Sequence, residues 1–141
     1  MSNKRAFSNP SNDVIRKILA SRRNIAVVGC SPDPRRDSNQ IAQLLKLKGH
    51  QIFPVNPLCH QVLETTCYPC LQDIPEQIHM VNVFRRAHFV SQIAEEAIGI
   101  QASVLWLQLG IVDDAAALRA EAAGLCVVMD RCPAIEYKRL F

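Results

Sequence analysis

Long apolar runs are missing from this sequence of 141 residues. No stretch approaches the roughly 20 apolar residues that a membrane-spanning helix needs. The first residues, Met1 to Arg5, are polar and lead to no apolar segment, so a signal peptide is not expected. These absences predict a cytoplasmic protein that does not bind membranes, and its six cysteines should be mostly reduced thiols in that compartment.

A strong excess of charge of one sign is also missing. Sixteen basic and thirteen acidic side chains give a net charge of +3. This is far from the basic stripe typical of nucleic-acid-binding proteins, which we therefore exclude. A mild positive excess is compatible with a phosphorylated small molecule, and the length fits one domain.

Two common nucleotide-binding motifs are absent. The pattern G-x-x-x-x-G-K-[ST] does not occur, which argues against a P-loop NTPase. The loop after the first apolar run contains only Gly29 where the dinucleotide fingerprint has three glycines. The second run ends in Asn56-Pro57, without the acidic residue that binds a ribose hydroxyl in NAD enzymes. An NAD(P)-binding oxidoreductase is disfavoured but stays an alternative.

Short apolar runs do alternate with amphipathic segments. Five runs are expected to be strands: residues 24–29, 51–55, 80–84, 103–107 and 125–129. They are rich in β-branched residues and continuously apolar, as strands buried on both faces are. Helical spacing follows most of them, with Ile41, Leu44 and Leu45 as one example. The alternation predicts an α/β domain with a five-stranded parallel sheet covered on both faces.

The remaining segments carry weaker signals. Residues 1–12 are predicted to be a flexible arm and residues 13–141 the domain, with Asn12 or Asp13 capping the first helix. Residues 56–79 are expected to be irregular except for a helical turn near 71–74, and residues 131–141 to be a tail. Pro54 has no N–H group, so it should lie near a strand end or at a sheet edge.

Ligands of parallel α/β sheets bind beyond the carboxyl ends of the strands. At these ends Gly29 permits close approach of a ligand and Ser31 offers a hydroxyl, while Ser38 lies where the next helix should begin. Arg36 and Arg85 can add charge-assisted contacts to an anion. Ordinary turns with solvated arginines explain the same residues equally well, so spacing alone leaves the site open.

Taken together, several ordered motifs resemble the small stand-alone CoA-binding domain proteins. They are Ile25–Pro32, Arg36 with Ser38, Pro54–Pro57, Val83–Arg85, Leu105–Gly110, Ala123-Gly124 and Val128–Pro133. The resemblance covers residues 13–138. It implies a Rossmann-like three-layer fold similar to the CoA-binding domain of the succinyl-CoA synthetase alpha subunit, with coenzyme A (CoA) or an acyl-CoA across the carboxyl edge of the sheet.

The resemblance also implies which residues bind CoA. The phosphate-binding part would be Gly29, Cys30, Ser31, Pro32, Arg36 and Ser38. The walls would be Asn56, Pro57, Phe84, Arg85, Leu109 and Gly110, and Cys132 lies in the tail motif that closes over the edge. The sequence departs from the usual pattern at Cys30, where a small apolar residue is common, and at Asp37, where proline is common.

No constellation of catalytic or metal-binding residues is evident, so we expect CoA binding without catalysis. The four histidines pair with no serine or cysteine in a way that suggests a triad. A CoA-ligase-type subunit stays an alternative, but a partner chain would have to supply its phosphohistidine. The pair Cys67-x-x-Cys70 has the spacing of a zinc or redox motif, and chance explains it more simply.

Overall fold

A five-stranded parallel sheet forms the centre of the computed structural model, which describes residues 6–141. The strands are β1 (Asn24–Val28), β2 (Gln51–Val55), β3 (Gln61–Val62), β4 (Thr65–Thr66), β5 (Met80–Val83), β6 (Val104–Leu107) and β7 (Cys126–Val128). The order in the large sheet is β2-β1-β5-β6-β7, and β3 and β4 form a separate antiparallel hairpin. The five strands of the large sheet were each predicted to within one residue at either end.

Five α-helices cover the two faces of the sheet. They are α1 (Asn12–Ala20), α2 (Asp37–Leu47), α3 (Val90–Gly99), α4 (Asp114–Ala122) and α5 (Pro133–Leu140). Helices α3 and α4 pack on one face, and α1, α2 and α5 pack on the other. The predicted parallel sheet with helices on both sides is confirmed.

Alternation along β1 shows why the strand is apolar throughout. Ala26 and Val28 pack into the core beneath α3 and α4, whereas Ile25 and Val27 pack into the core beneath α1 and α2. Successive side chains of a strand point to opposite faces, and here both faces are buried. A polar face is therefore absent from this strand.

Pro54 lies in β2, which forms one edge of the sheet, as predicted. Its carbonyl accepts from the Tyr68 N–H at 2.9 Å on the outer side of the strand. Since the N–H and C=O of one residue point to the same side, the N–H that proline lacks would also have faced outward. The ladder with β1 therefore loses no hydrogen bond.

Side chains cap two of the helices. Asp113 caps α4, and its side chain accepts from the Ala116 N–H at 3.0 Å. The prediction that Asn12 or Asp13 caps the first helix was wrong, because Ser11 does so by accepting from the Val14 N–H. Serine is as good an N-cap as asparagine, so residue type could not decide between neighbours.

The predicted tail at residues 131–141 is largely helix α5, which corrects that prediction. Pro133 stands in the first turn, where its missing N–H costs nothing. Glu136 is only 1% exposed, and both of its carboxylate oxygens accept from Arg139, at 2.8 and 3.1 Å. A buried, paired glutamate breaks the apolar spacing that would have indicated a helix.

Residues 56–79 contain the expected single turn of 3-10 helix at Leu71–Asp73, and also the β3–β4 hairpin, which was not predicted. The hairpin turns at Leu63 and Glu64, whose φ angles are 54° and 60°. Asparagine and glycine are the usual residues of such turns. Leucine and glutamate are not typical of such turns, so the sequence did not indicate this hairpin.

Part of the segment predicted as a flexible arm is attached to the domain. The side chain of Asn9 accepts from the Met129 N–H at 2.7 Å and donates to the Met129 carbonyl at 2.8 Å. This one amide pairs with the backbone just beyond β7, at the second edge of the sheet. Residues 1–5 lie outside the described residues, so flexibility there stays a prediction.

Asn9→Ala is expected to lower the free energy of unfolding by about 1–3 kcal/mol, because two hydrogen bonds of roughly 0.5–1.5 kcal/mol are lost. Urea denaturation measures the change. Ser8→Ala, at an exposed neighbouring position, is the control. Equal stability of the two variants would contradict a structural role for the Asn9 amide.

A buried hydrogen-bond chain joins α5 to α1 and to the residues just before β1 and β2. The Arg23 N–H donates to Nδ1 of His50 at 3.2 Å, so the ring proton of neutral His50 lies on Nε2 and is donated to the Tyr137 hydroxyl at 2.8 Å. That hydroxyl donates to the Leu19 carbonyl at 3.0 Å. Burial lowers the pKa of His50 and raises the pKa of Tyr137 to about 12.

This chain predicts a pH-dependent stability. Because the pKa of His50 is lower in the folded state than its usual 6.5, the unfolded chain binds the proton more readily. The stability is therefore fully present above about pH 6.5 and is lost as the pH falls through the folded-state pKa. Urea denaturation between about pH 5 and 7.5 should show a shallower decline for His50→Gln than for His88→Gln, which changes an exposed histidine. Parallel profiles would refute the role of His50.

Candidate functional site

The strand order reverses between β1 and β5. The chain leaves β1 for β2 on one side, and β5 then lies on the other side of β1. In open α/β sheets this reversal opens a crevice at the carboxyl ends of the two strands, where ligands bind. Gly29 follows β1 and Phe84 follows β5, so the first predicted loop lies at the crevice.

Gly29 brings the two loops into contact. Its φ is +83°, and a Cβ at this position would lie 2.6 Å from the Phe84 carbonyl oxygen and 3.0 Å from Cδ of Arg85. Glycine adopts this φ without the steric cost that other residues incur. A side chain here would push the β5 loop away, so glycine is required both by conformation and by space.

On one side of Gly29 a cleft of about 540 Å³ opens at the start of α2, and we call it the α2 cleft. Its lining includes Gly29, Ser31, Arg35, Arg36, Ser38 and Phe84. Arg36 is the N-cap residue of α2, and no side chain caps this helix. The first N–H groups of α2 thus lack the capping acceptor that α1 and α4 have, and such groups attract anions. Asp37, in the first turn, is the one acidic residue among the groups that line this cleft.

The two arginines of the α2 cleft differ in their surroundings. Arg35 donates to both carboxylate oxygens of Asp33, at 3.1 and 3.0 Å, and these hydrogen bonds lower the pKa of Asp33. The charge of Arg35 is thereby compensated. Arg36 forms no ion pair with any residue of the described range 6–141, so it is the cation of this cleft that can bind an incoming anion.

The serines of the loop mainly fix its shape. The Ser38 hydroxyl accepts from the Ser31 N–H at 2.9 Å, and the Ser31 hydroxyl accepts from the Asp33 N–H at 3.1 Å. The Asn39 side chain donates to the Ser31 carbonyl at 2.9 Å. Each hydroxyl still has its own proton to donate, so both serines can contact a ligand in the cleft.

Four of the residues implied by the resemblance line none of the clefts at the strand ends: Cys30, Pro32, Asn56 and Gly110. The Cys30 side chain is fully buried under α2, and burial raises the pKa of its thiol to about 12. Asn56 stabilises the loop after β1 through its side chain. Its Nδ2 donates to the Cys30 carbonyl at 3.0 Å, and its Oδ1 accepts from the Leu58 N–H at 3.0 Å. Pro32 is exposed at the loop surface. Cys30 and Asn56 are therefore placed to support the loop.

On the other side of Gly29 lies a cleft of about 240 Å³ along α3, which we call the α3 cleft. Its lining includes Gly29, Pro57, Leu71, Arg85, Phe89 and Glu96. The guanidinium carbon of Arg85 lies 4.0 Å from the centroid of the Phe89 ring. The cleft thus combines apolar walls with one cation held against an aromatic ring.

A third cleft of about 310 Å³ lies beyond α2 at the end of β6, and we call it the β6 cleft. Its lining is Asp37, Gln40, Ile41, Gln108, Leu109 and Cys132. Gln108 is 8% exposed, and its Oε1 has no hydrogen-bond partner among residues 6–141. Gly110, the residue after Leu109, is not part of this lining, and its N–H donates to Asp130 at 2.7 Å. Asp37 lines this cleft and the α2 cleft, so the two adjoin.

The profile of the CoA binding domain family matches residues 23–138. The chain belongs to this family. It is 37% identical over 126 residues to the uncharacterized protein YneT of Bacillus subtilis, which covers 89% of this chain and 93% of that protein. The predicted resemblance to CoA-binding domain proteins is confirmed.

Solved structures agree with the Rossmann-like fold. A hypothetical protein from Pyrococcus horikoshii superimposes on this CoA binding domain with a TM-score of 0.90 at 36% identity, over 99% of both chains. A protein from Thermus thermophilus does so with a TM-score of 0.88 at 29% identity, over 94% of this chain and all of that one.

Larger enzymes contain a similar domain. The ADP-forming acetate–CoA ligase II of Archaeoglobus fulgidus is 32% identical over 87 residues, which are 59% of this chain and 13% of the ligase. Acetyl-coenzyme A synthetase 1 of Candidatus Korarchaeum cryptofilum shares the fold with a TM-score of 0.69 at 20% identity, over 81% of this chain and 27% of that one. Across residues 6–141 of the CoA binding domain, no helix has the length and apolarity to cross a bilayer.

The strand ends predicted from the sequence indicated where the crevice lies, but they did not indicate which helix residues face it. Phe89, Gln92 and Glu96 line the α3 cleft and were not predicted. Gln92 and Glu96 are one helical turn apart, so both fall on the side of α3 that looks towards the strand ends. Ser91 and Glu95 of the same helix are polar as well, so residue type alone could not single out Gln92 and Glu96.

The cysteine pair of the C-x-x-C motif is divided between two environments. Cys70 lines the α3 cleft, whereas Cys67 is buried in the core with Cys30, and its Sγ lies 3.6 Å from the Asn56 carbonyl. Within residues 6–141, no three histidine, cysteine, aspartate or glutamate side chains are grouped to hold a metal ion.

Proposed function

We propose that this CoA binding domain holds CoA or an acyl-CoA along the carboxyl edge of its sheet, without a catalytic step of its own. The observation that carries the proposal is the uncapped start of α2 with Arg36, directly beside Gly29 at the reversal of strand order. The family supports CoA as the ligand class.

The pyrophosphate of CoA lies in the α2 cleft in this proposal. The first N–H groups of α2 and the positive end of the helix dipole favour a phosphate by roughly 0.3–1 kcal/mol per contact. Arg36 adds a charge-assisted contact, and the Ser31 hydroxyl adds a donor. Gly29 leaves room for the phosphates to approach the backbone.

The two other clefts accommodate the ends of the molecule. The α3 cleft offers apolar walls at Pro57 and Phe89 for the adenine ring, and Glu96 can accept from its amino group. The β6 cleft takes part of the pantetheine arm, whose amides can bond to the Gln108 side chain. The ligand then spans the carboxyl edge with its phosphates in the middle.

A binding role suits the chemistry of the clefts. The four histidines all lie in the described part of the chain, and none of them lines the α2, α3 or β6 cleft. The hydroxyls of Ser31 and Ser38 accept from backbone N–H groups of the loop, and among residues 6–141 neither is hydrogen-bonded to a histidine or a carboxylate. A nucleophile with an adjacent base is what acyl transfer would need.

Calorimetry with CoA, acetyl-CoA, NAD and ATP tests the proposal. CoA or acetyl-CoA should bind, and NAD and ATP should bind more weakly or not at all. Absence of CoA binding at millimolar concentration would contradict the proposal. Preferential binding of NAD would favour an oxidoreductase-like protein instead.

Arg36→Ala is expected to weaken CoA binding by about 1.5–3 kcal/mol, or roughly 10- to 150-fold, if Arg36 meets a phosphate. Lys17→Ala removes one positive charge from the exposed face of α1, at the end of the domain where β1 begins, and should leave the affinity unchanged. Equal losses in both variants would mean that only the net charge matters. An unchanged dissociation constant in Arg36→Ala would remove Arg36 from the site.

A subunit of a CoA ligase that acts with a partner chain is the second candidate, favoured by the identity to an ADP-forming ligase over 87 residues. The purified chain alone should form no ATP from acetyl-CoA, ADP and phosphate under either proposal. Native mass spectrometry of the protein from its own cells distinguishes them, because a stable complex with a second chain that confers this activity supports the ligase subunit.

A further inference from the structure

The α2 and α3 clefts meet at Gly29, and each contains an arginine. Gly29 lines both clefts, with Arg36 in the first and Arg85 in the second. A Cβ on Gly29 would lie 3.0 Å from Cδ of Arg85, so the stem of Arg85 passes directly beside this glycine. Two cationic side chains thus stand on the two sides of one backbone position.

Arg85 is held in place without using its hydrogen-bond donors. Its guanidinium carbon lies 4.0 Å from the centroid of the Phe89 ring. Stacking occupies the flat face of a guanidinium and leaves the N–H groups at its edge free. Within residues 6–141 Arg85 has no hydrogen bond and no ion pair, so those N–H groups are available to a ligand.

The α3 cleft is not uniformly cationic, because it also contains the Glu96 side chain. None of the ion pairs among residues 6–141 joins Glu96 to Arg85. An isolated phosphate would be repelled by this carboxylate. A ligand that presents a hydrogen-bond donor to Glu96 and an anion to Arg85 matches both groups, and an adenine nucleotide with a phosphate on its ribose has this pattern.

CoA carries two separate anionic groups, the pyrophosphate and a phosphate on the 3′ oxygen of the adenosine ribose. On the basis of the proposed function, which puts the pyrophosphate beside Arg36, we propose that Arg85 binds the 3′-phosphate. A guanidinium fork pairs with a phosphate through two parallel hydrogen bonds. Arg85 therefore determines specificity, and the domain selects CoA over 3′-dephospho-CoA, which lacks only that phosphate.

Calorimetry of the intact protein with CoA and with 3′-dephospho-CoA tests this inference. The unmodified protein should bind CoA at least about tenfold more tightly. Arg85→Ala should lower the CoA affinity to that of 3′-dephospho-CoA and leave the affinity for 3′-dephospho-CoA unchanged. Arg86→Ala, at the exposed neighbouring position that lines none of the three clefts, should keep the preference.

The outcomes separate the two proposals. If the unmodified protein binds neither compound, the proposed function fails. If it binds both equally well, or if Arg85→Ala weakens both by the same factor, CoA binding stands and the role of Arg85 is overturned. The comparison on the unmodified protein needs no variant, so equal binding of the two compounds overturns the role of Arg85 even if Arg85→Ala does not fold.

Discussion

Replacing Gly29 by alanine should lower the free energy of unfolding by roughly 2–4 kcal/mol and remove CoA binding. The φ of +83° alone costs an L-residue about 1–2 kcal/mol. The new Cβ would also lie 2.6 Å from a backbone oxygen, that of Phe84, which cannot move aside as a flexible side chain can. The loop after β5 must shift, and this displaces Arg85 and the shared boundary of the α2 and α3 clefts.

Gly124→Ala is the matched control for this substitution. Gly124 has a φ of +101°, and a Cβ there would meet no atom within 4 Å. Its variant should show only the conformational cost of about 1–2 kcal/mol and should bind CoA normally. Urea denaturation and calorimetry on both variants measure the difference. Equal losses of stability, or retained CoA binding in Gly29→Ala, would contradict the close contact between the two loops.

The sheet was predictable from sequence because burial on both faces leaves a simple trace. A strand such as Ile25–Val28 must be apolar at every position when each face packs against helices. Pro54 was placed correctly at an edge by the same physics, since its missing N–H excludes an interior position. These features depend on residue type alone and not on the details of packing.

The candidate site was predictable only to the level of the loops that form it. The strand ends identified Gly29 and Arg85, which do line the crevice. The direction of the Cys30 side chain was not predictable, because the left-handed φ of Gly29 resets the alternation of the strand and turns Cys30 into the core. The role of Asn56 as a brace likewise depends on the position of a loop 26 residues earlier in the chain.

Helix α5 was missed for a reason of energetics. A buried carboxylate is costly unless it is paired, so a glutamate in a short terminal segment is normally taken as exposed. Glu136 is buried because Arg139 pairs with both of its oxygens, and Arg139 also donates to Asn12 at 3.0 Å. The Arg139–Asn12 hydrogen bond joins α5 to the start of α1. No sequence pattern within α5 indicates that Glu136 is paired and buried.

Trp106 is the position in the core where we expect the largest loss of stability. It is fully buried in β6, and its Nε1 donates to the Arg131 carbonyl at 2.9 Å. Trp106→Ala should lower the free energy of unfolding by about 3–5 kcal/mol, because the lost apolar contacts and the resulting cavity both contribute. Circular dichroism during urea denaturation measures this change without the tryptophan itself.

Trp106→Phe separates the hydrogen bond from the packing. Phenylalanine keeps much of the apolar contact and removes the donor, so the loss that is due to the bond should be about 0.5–1.5 kcal/mol. The Arg131 carbonyl precedes Cys132, which lines the β6 cleft, and loss of its partner should loosen that loop. We therefore expect weaker binding of CoA to Trp106→Phe, while 3′,5′-ADP, which lacks the pantetheine arm, should bind as well as it does to the unmodified protein. An equal loss for both ligands would show that the tryptophan supports the whole sheet edge and not the β6 cleft in particular.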